Sequence, residues 1–529
     1  MMDENKTGGL PDYDAVSGAL IRPIQPWSTR DTVYAIATAV AAVIFVSLAL
    51  FGGFHLGYTV SFVLLFVLFN LYLVKGQKKY TPFSVLCGVA SVLLSVVFSI
   101  YDEVNFALFL TDLLLLWIFL SVSYVDGRRV ITEALHTAIV TPFVNIGEPF
   151  RAFGQYNRDN NKKSPNRQIL VGLAISVPIL AVVLPLLISA DAAFEGLMKS
   201  LFADCALVIL KIVLGLLLAV YLFAKLFAVR NRLGTPQTAP GEDAVRKGFS
   251  PVTGATVLSV LSVLYFVYLL SQLAYFFSAF SGILPQDYTF TVADYARRGF
   301  FELCGVCCIN LGLLALIIGF VKRRQEQKHY ISVKITATLI CVFSLVFVAT
   351  AVSKMLLYIK SFGLTRLRLE TSLLMVLMAV MFIGVLIFVF TRRFPMAKYA
   401  VVSVAVMALL VGFADVDRTV AEYNVRAYQE GILSEIDVAY LGALSDSAVP
   451  QLEKLMKSKD KEVKRAAQLE LYRVAKRYYD ITDTDIKEKN PSAWESDSYA
   501  RTRAKRIVVS HKKLLLQIEK SPYSYQVTI

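Results

Sequence analysis

The sequence predicts an all-α fold: a bundle of membrane-crossing helices followed by a small helical domain. Three observations predict it. Of the 529 residues, 56% are hydrophobic and only 18% are charged, against roughly 25% charged in soluble domains. Mean hydropathy is +0.58 across the whole length, which excludes a solvated globule, a disordered chain and a collagen-like fibre. The apolar residues also come in runs of about 20, the length a helix needs to cross a hydrocarbon core of roughly 30 Å. Lipid offers no partner to backbone N–H and C=O groups, so only helices and closed barrels span it. These runs are far longer than the roughly 10-residue strands of a barrel.

Taken in order, residues 1–31 read as a flexible polar tail carrying Asp3, Glu4, Asp12, Asp14 and Asp31, unlike the short basic start of a secretory signal. Eleven spans then fill 32–414. The first six are Thr32–Phe51, Phe54–Val74, Pro82–Ile100, Phe106–Ser123, Gln168–Ser189 and Ala203–Val229. The other five are Ala255–Phe280, Phe300–Phe320, Ile335–Met355, Thr371–Thr391 and Ala397–Ala414. The last is the shortest case, near the lower limit for a crossing. Lys211 lies well inside the sixth span, and Lys225 lies near its end, where its stem can snorkel. The stretch Ile131–Phe153 is apolar but broken by Glu133, His136, Pro142, Glu148 and Pro149, so it reads as an interfacial helix or hairpin.

The basic residues give an orientation, because cytoplasmic connections carry the excess of Lys and Arg. Alternate connections hold 25 on one side and 7 on the other. That places the N-terminus in the cytoplasm of a multi-pass protein of the cell membrane, and eleven crossings place the C-terminal domain outside. Six of the seven exceptions fall in two outer connections: Arg297 and Arg298, then Lys354, Lys360, Arg366 and Arg368.

Intramembrane ionisable groups are expensive and mark either function or packing. Asp112, Lys211 and Glu302 are the candidates, and Asp112 with Lys211 can form an ion pair in the outer half of the bundle. Such a pair serves either a proton relay or helix packing. Cys304, Cys307 and Cys308 share one helical face in "CGVCC", yet no histidine accompanies them, so they read as core residues rather than metal ligands. No phosphate-binding glycine loop, HExxH motif or Gly-x-Ser-x-Gly elbow is present, so no catalytic residue, cofactor or metal is assigned. Asp102 and Glu103 in "YDEVN" leave open a membrane-embedded glycosyltransferase-like enzyme, against a solvated turn.

Three segments together carry a resemblance: "YARRGFFEL" (Tyr295–Leu303), "FGLTRLRLET" (Phe362–Thr371) and the stretch containing "YNVRAYQEGILSEIDVAYL" (Asp417–Leu455). In this order they resemble the bacterial multi-spanning membrane families of unknown function numbered 4153 and 4173. The resemblance implies an integral membrane protein with this helix layout and implies no activity. On the predicted topology all three segments meet one face of the membrane. Tyr295, Arg297, Arg298, Glu302, Arg366, Arg368, Glu370 and Tyr423 then form a candidate cluster. Arginine there offers a planar fork to an anionic headgroup, or it clamps the C-terminal domain by pairing with the nearby carboxylates.

From Asp415 to the end the composition turns polar. Ser434 and Asp437 read as a capping box, and Val463, Ala467, Leu471, Val474 and Tyr478 recur at helical spacing. The helical pair resembles one HEAT-type repeat. "RTRAKRIVVSHKK" (Arg501–Lys513) is strongly basic and suits anionic envelope polymer or headgroups, with nucleic acid not expected there. The partners expected are the lipid bilayer and such an anionic surface. A transporter or handler of a lipid or anionic ligand is the leading expectation, with a non-enzymatic envelope sensor or scaffold as the alternative.

Overall fold

A computed structural model describes residues 26–53, 55–74, 80–101, 106–121, 140–159, 205–231, 250–281, 300–320, 327–391, 393–482, 485–489 and 497–520, with isolated residues 176 and 183. Apart from residues 176 and 183, the span expected at Gln168–Ser189 lies outside the described residues, as does the pair Asp102 and Glu103. The chain divides into two compact units. One contains residues 1–84, 117–125 and 131–241, and the other contains 85–116, 126–130 and 242–529.

In the first unit α1 (Thr29–Phe45) runs into a π-helical turn at Val46–Leu50 and is followed by α2 (Leu56–Val74). Helix α3 (Pro82–Ile100) has only its first turn in this unit, and α4 (Phe106–Ser121) is shared between the two. An amphipathic α5 (Glu148–Asp159) and the long α6 (Cys205–Asn231) complete it. Helix α1 starts at Thr29, three residues before the expected span. The reason is local: Ser28 and Asp31 form a reciprocal capping box that satisfies the first orphan N–H groups. Helices α1 and α6 pack closely, because a Cβ on Gly215 would sit 2.6 Å from the backbone of Val43. Lys225 does not snorkel. It is fully buried, its ammonium reaching Ser121 Oγ at 3.4 Å and lying 5.3 Å from the Trp117 ring centre. Within 140–159, Phe143, Val144 and Phe150 are exposed, while Phe153 stacks edge-on to Trp27 at 5.3 Å.

The second unit holds α7 (Pro251–Ser281), α8 (Phe300–Phe320), α9 (Gln327–Phe362), α10 (Arg366–Phe390) and α11 (Met396–Phe413). Their shared core includes Leu258, Cys307, Ile340, Phe347, Met375 and Phe382. Nine helices among the described residues are long and apolar enough to cross a membrane, and α4, at 16 residues, is a shorter apolar helix. Two boundaries differ from the sequence reading. Helix α9 runs on through Lys354 and Lys360 to Phe362, so these lysines ride on the helix and Lys354 is buried. Helix α10 begins at Arg366, because Thr365 accepts from Arg368 N at 3.4 Å and caps it. The connection between them is only Gly363–Thr365.

The C-terminal region forms α12 (Val416–Gln429), α13 (Val438–Ala443), α14 (Val449–Leu455), α15 (Lys461–Tyr478), α16 (Tyr499–Ser510) and α17 (Lys512–Lys520). Asp437, rather than Ser434, caps α13, since its carboxylate accepts from Tyr440 N at 2.8 Å. The stripe on α15 is buried as spaced, with Ala467, Leu471 and Val474 inside and Val463 and Tyr478 packed against the same core. A two-stranded antiparallel hairpin, β1 (Tyr479–Ile481) with β2 (Ile486–Glu488), interrupts the helices and was not expected. Leu364, from the α9–α10 connection, belongs to this core as well. The C-terminal region is therefore packed onto the helix ends as a cap.

Candidate functional site

One side chain reads both backbone groups of Leu364 in the α9–α10 connection. Asn424 of α12 accepts from Leu364 N at 2.8 Å and donates to Leu364 O at 2.7 Å. An amide side chain can match one residue's backbone donor and acceptor at once, and both groups here are buried, where leaving either unmade is costly. Gly363 makes the approach possible for two reasons. Its φ is +75°, and a Cβ there would lie 2.6 Å from Asn424 Oδ1.

The two arginines of "GLTRLR" are committed to protein groups. Arg366 N donates to the Tyr440 hydroxyl at 2.9 Å, its Nε donates to Glu370 at 3.3 Å, and its Nη1 lies 3.8 Å from Asp417. Asp417 is buried and also accepts from Ser445 N at 3.1 Å. Arg368 donates to the carbonyls of Phe362, at 3.0 Å, and Gly363, and its guanidinium carbon lies 4.0 Å from the Tyr358 ring centre. These last contacts give the C-terminal carbonyls of α9 the donors they lack within the helix.

The remaining predicted residues distribute unevenly. Tyr423 is partly buried against the cap core. Glu302, on the first turn of α8, acts electrostatically on Lys354 of α9 and Tyr268 of α7. Tyr295, Arg297 and Arg298 lie outside the described residues. Of the eight, Arg366, Arg368, Glu370 and Tyr423 therefore converge on the cap junction. Asp417, Asn424 and Tyr440 complete the junction. The sequence offered no sign of Asn424's role beyond its place in "YNVRAY".

The intramembrane candidates each have partners. Asp112 is buried and accepts from Ser91 Oγ at 2.6 Å. Lys211 lies over the Phe51 ring at 5.2 Å, beside the π-helical turn. They belong to different compact units. Cys304 and Cys307 are buried and Cys308 is exposed, with Cys307 Sγ 3.7 Å from Ser344 O. A second intramembrane network was missed. Tyr265 donates to Asn310 at 2.7 Å, and Asn310 donates to Ser344 at 2.9 Å, linking α7, α8 and α9.

Beside the junction lies a cavity of about 260 Å³. Ile100 and Tyr101 at the end of α3, and Phe413 and Ala414 at the end of α11, form one wall; Arg418 and Arg503 stand on the cap side. The Tyr101 hydroxyl donates to Phe413 O at 3.2 Å and ties the two helix ends together. Burial raises the pKa of Asp415, which caps α12 from a left-handed conformation with φ +49°.

Compared with known proteins, residues 88–455 match the family model described as a domain of unknown function, DUF4153. No curated protein and no solved structure matches the chain.

Proposed function

The chain belongs to the DUF4153 family, and from that premise we propose an integral protein of the cell membrane that handles a lipid or other anionic ligand beneath a helical cap. The carrying observation is the recognition of Leu364 by Asn424, which holds the cap on the helix ends. Arg366, Arg368 and Glu370 act there as the clamp, because each already has protein partners. The basic-residue count supports a cytoplasmic N-terminus, and the eleven crossings read from the sequence would then put the cap on the outer face. A ligand-handling role is supported by the cavity left between the cap and the ends of α3 and α11. The exposed basic residues Arg503, Arg506, Lys512 and Lys513 on the cap favour a second reading as an envelope scaffold.

Limited proteolysis of the protein in lipid nanodiscs tests the clamp. Replacing both Arg366 and Arg368 with alanine should expose new cleavage after Asp415 while retained lipid stays unchanged. Unchanged cleavage with lost lipid would return these arginines to the ligand. No change in either would defeat both roles. A single cysteine at Ser524, with the native cysteines removed, should label with an impermeant maleimide on intact cells; labelling only after lysis would place the cap in the cytoplasm.

A further inference from the structure

The clamp leaves the cavity at the ends of α3 and α11 unused. Its volume of about 260 Å³ is far more than one water requires and lies below the usual range of organic-ligand sites. A headgroup fits it better than a whole amphiphile. Ile100 and Phe413 are the last residues of two helices suited to crossing the membrane, so this wall stands where hydrocarbon gives way to the polar interface.

The charged groups divide clearly. Asp415 accepts from Arg418 N at 3.1 Å, Glu422 pairs with Arg418 at 3.8 Å, and Asp446 accepts from the Tyr478 hydroxyl. Each of the three carboxylates thus has a partner within the cap, while, among the described residues, the buried Oδ1 of Asp446 accepts no hydrogen bond. Arg503 is exposed and, among the described residues, has no polar partner. The first turns of α12 and α16 both line the cavity, and the free N–H groups of helix starts favour an anion. Tyr499, beside Arg503, is 67% exposed, an amphipathic ring of the kind enriched at membrane interfaces.

We propose that this cavity holds the phosphate of a membrane glycerophospholipid between Arg503 and Arg418, with the acyl chains leaving past Ile100 and Phe413 into the bilayer. The proposal rests on the ligand-handling reading and names its ligand class. A planar guanidinium satisfies two phosphate oxygens at once. Arg503 supplies that contact at no cost to an existing ion pair, whereas Arg418 is shared with Glu422.

Native mass spectrometry of the full chain released from nanodiscs of equimolar phosphatidylglycerol and phosphatidylcholine reads the retained lipid directly. Wild type should keep a bound phospholipid, and Arg503→Gln should reduce the retained fraction by about tenfold, the loss of a charge-assisted contact. Arg465→Gln, an exposed arginine of α15 that does not line the cavity, should leave it unchanged. Equal retention in wild type and Arg503→Gln, or an equal loss in Arg465→Gln, overturns the site. Displacement of the lipid by millimolar inorganic phosphate overturns the lipid as the source of the phosphate. Protease resistance after Asp415 is read on the same samples: lipid lost with the cap intact concerns this site alone and leaves the clamp standing.

Discussion

Two regions fasten helix ends by different physics. In the first unit the fastening is a buried charge. Asp31 accepts from Tyr72 at 2.8 Å and from Ser28 N and Oγ at 2.9 and 2.7 Å, and it pairs with Arg230 of α6. In the second unit it is an amide reading a backbone, Asn424 on Leu364, with Arg366 and Asp417 3.8 Å apart beside it. The first binds side chain to side chain in a site where Asp31 is wholly buried and Arg230 nearly so. The second binds neutral groups, and the ion pairs of Arg366 with Glu370 and Asp417 beside it are partly solvated. Neutralising one member of a buried pair strands the other charge, whereas a partly exposed pair contributes little. The two junctions should therefore fail very differently.

The largest effect is expected at Asp31. Asp31→Asn leaves Arg230 charged and buried, which costs about 3–5 kcal/mol. Thermal unfolding in detergent reads this, and the double variant with Arg230→Gln should recover part of the loss. A single variant as stable as wild type would show that the pair is not what holds these helices.

Asn424→Ala comes next. It leaves Leu364 N–H and C=O buried without partners, at about 1–3 kcal/mol for each stranded group. Hydrogen exchange should rise at 363–366 and across α12 while the core of α7 to α10 keeps its protection. Exchange that rises equally in both would mean that the cap and the helices unfold as one body.

The smallest effect concerns pH. Glu519 has its pKa lowered by the hydrogen bond from Tyr472, with Lys476 adding at 3.1 Å. A depressed carboxylate stabilises the fold above its ordinary value of 4.5 and loses that contribution as pH falls through the lowered folded value. As pH falls below about 4.5 the wild type should lose melting temperature more steeply than Glu519→Gln. Asp415 and Glu470 are shifted upward by burial and act in the opposite sense, so the comparison must be made against that variant. Parallel curves would remove Glu519 from the acid response.

Much of the bundle was legible because crossing lipid demands long apolar runs, and the long apolar helices among the described residues fall on the runs from Thr32 to Ala414. The helix ends were harder. Hydropathy stops at the edge of the hydrocarbon, but hydrogen bonding does not, so α9 continued through Lys354 and Lys360. Asp31 was assigned to a tail because acid at the edge of an apolar run resembles a solvated flank. The legible signal was Ser28 three residues before it, a capping spacing. At the candidate site Arg366, Arg368, Glu370 and Tyr423 were named from the sequence as members of one cluster. Their choice between ligand and clamp was not, because it depends on Tyr440, Asp417 and the carbonyls of Phe362 and Gly363, which are near only after folding. Nothing in an isolated asparagine announces that Asn424 will read a backbone 60 positions away.

The cap is held twice, once through Leu364 and once through the chain that leaves α11 at Ala414. The covalent strand acts as a short tether, which keeps the cap at an effective concentration of order millimolar beside its own docking segment. A contact too weak to assemble two separate polypeptides at micromolar concentration then suffices to keep the cap seated. Severing the chain between Ala414 and Asp415 would remove that advantage while leaving every clamp contact intact. A cap supplied in trans should accordingly dissociate on dilution, although the intact protein stays closed at any concentration.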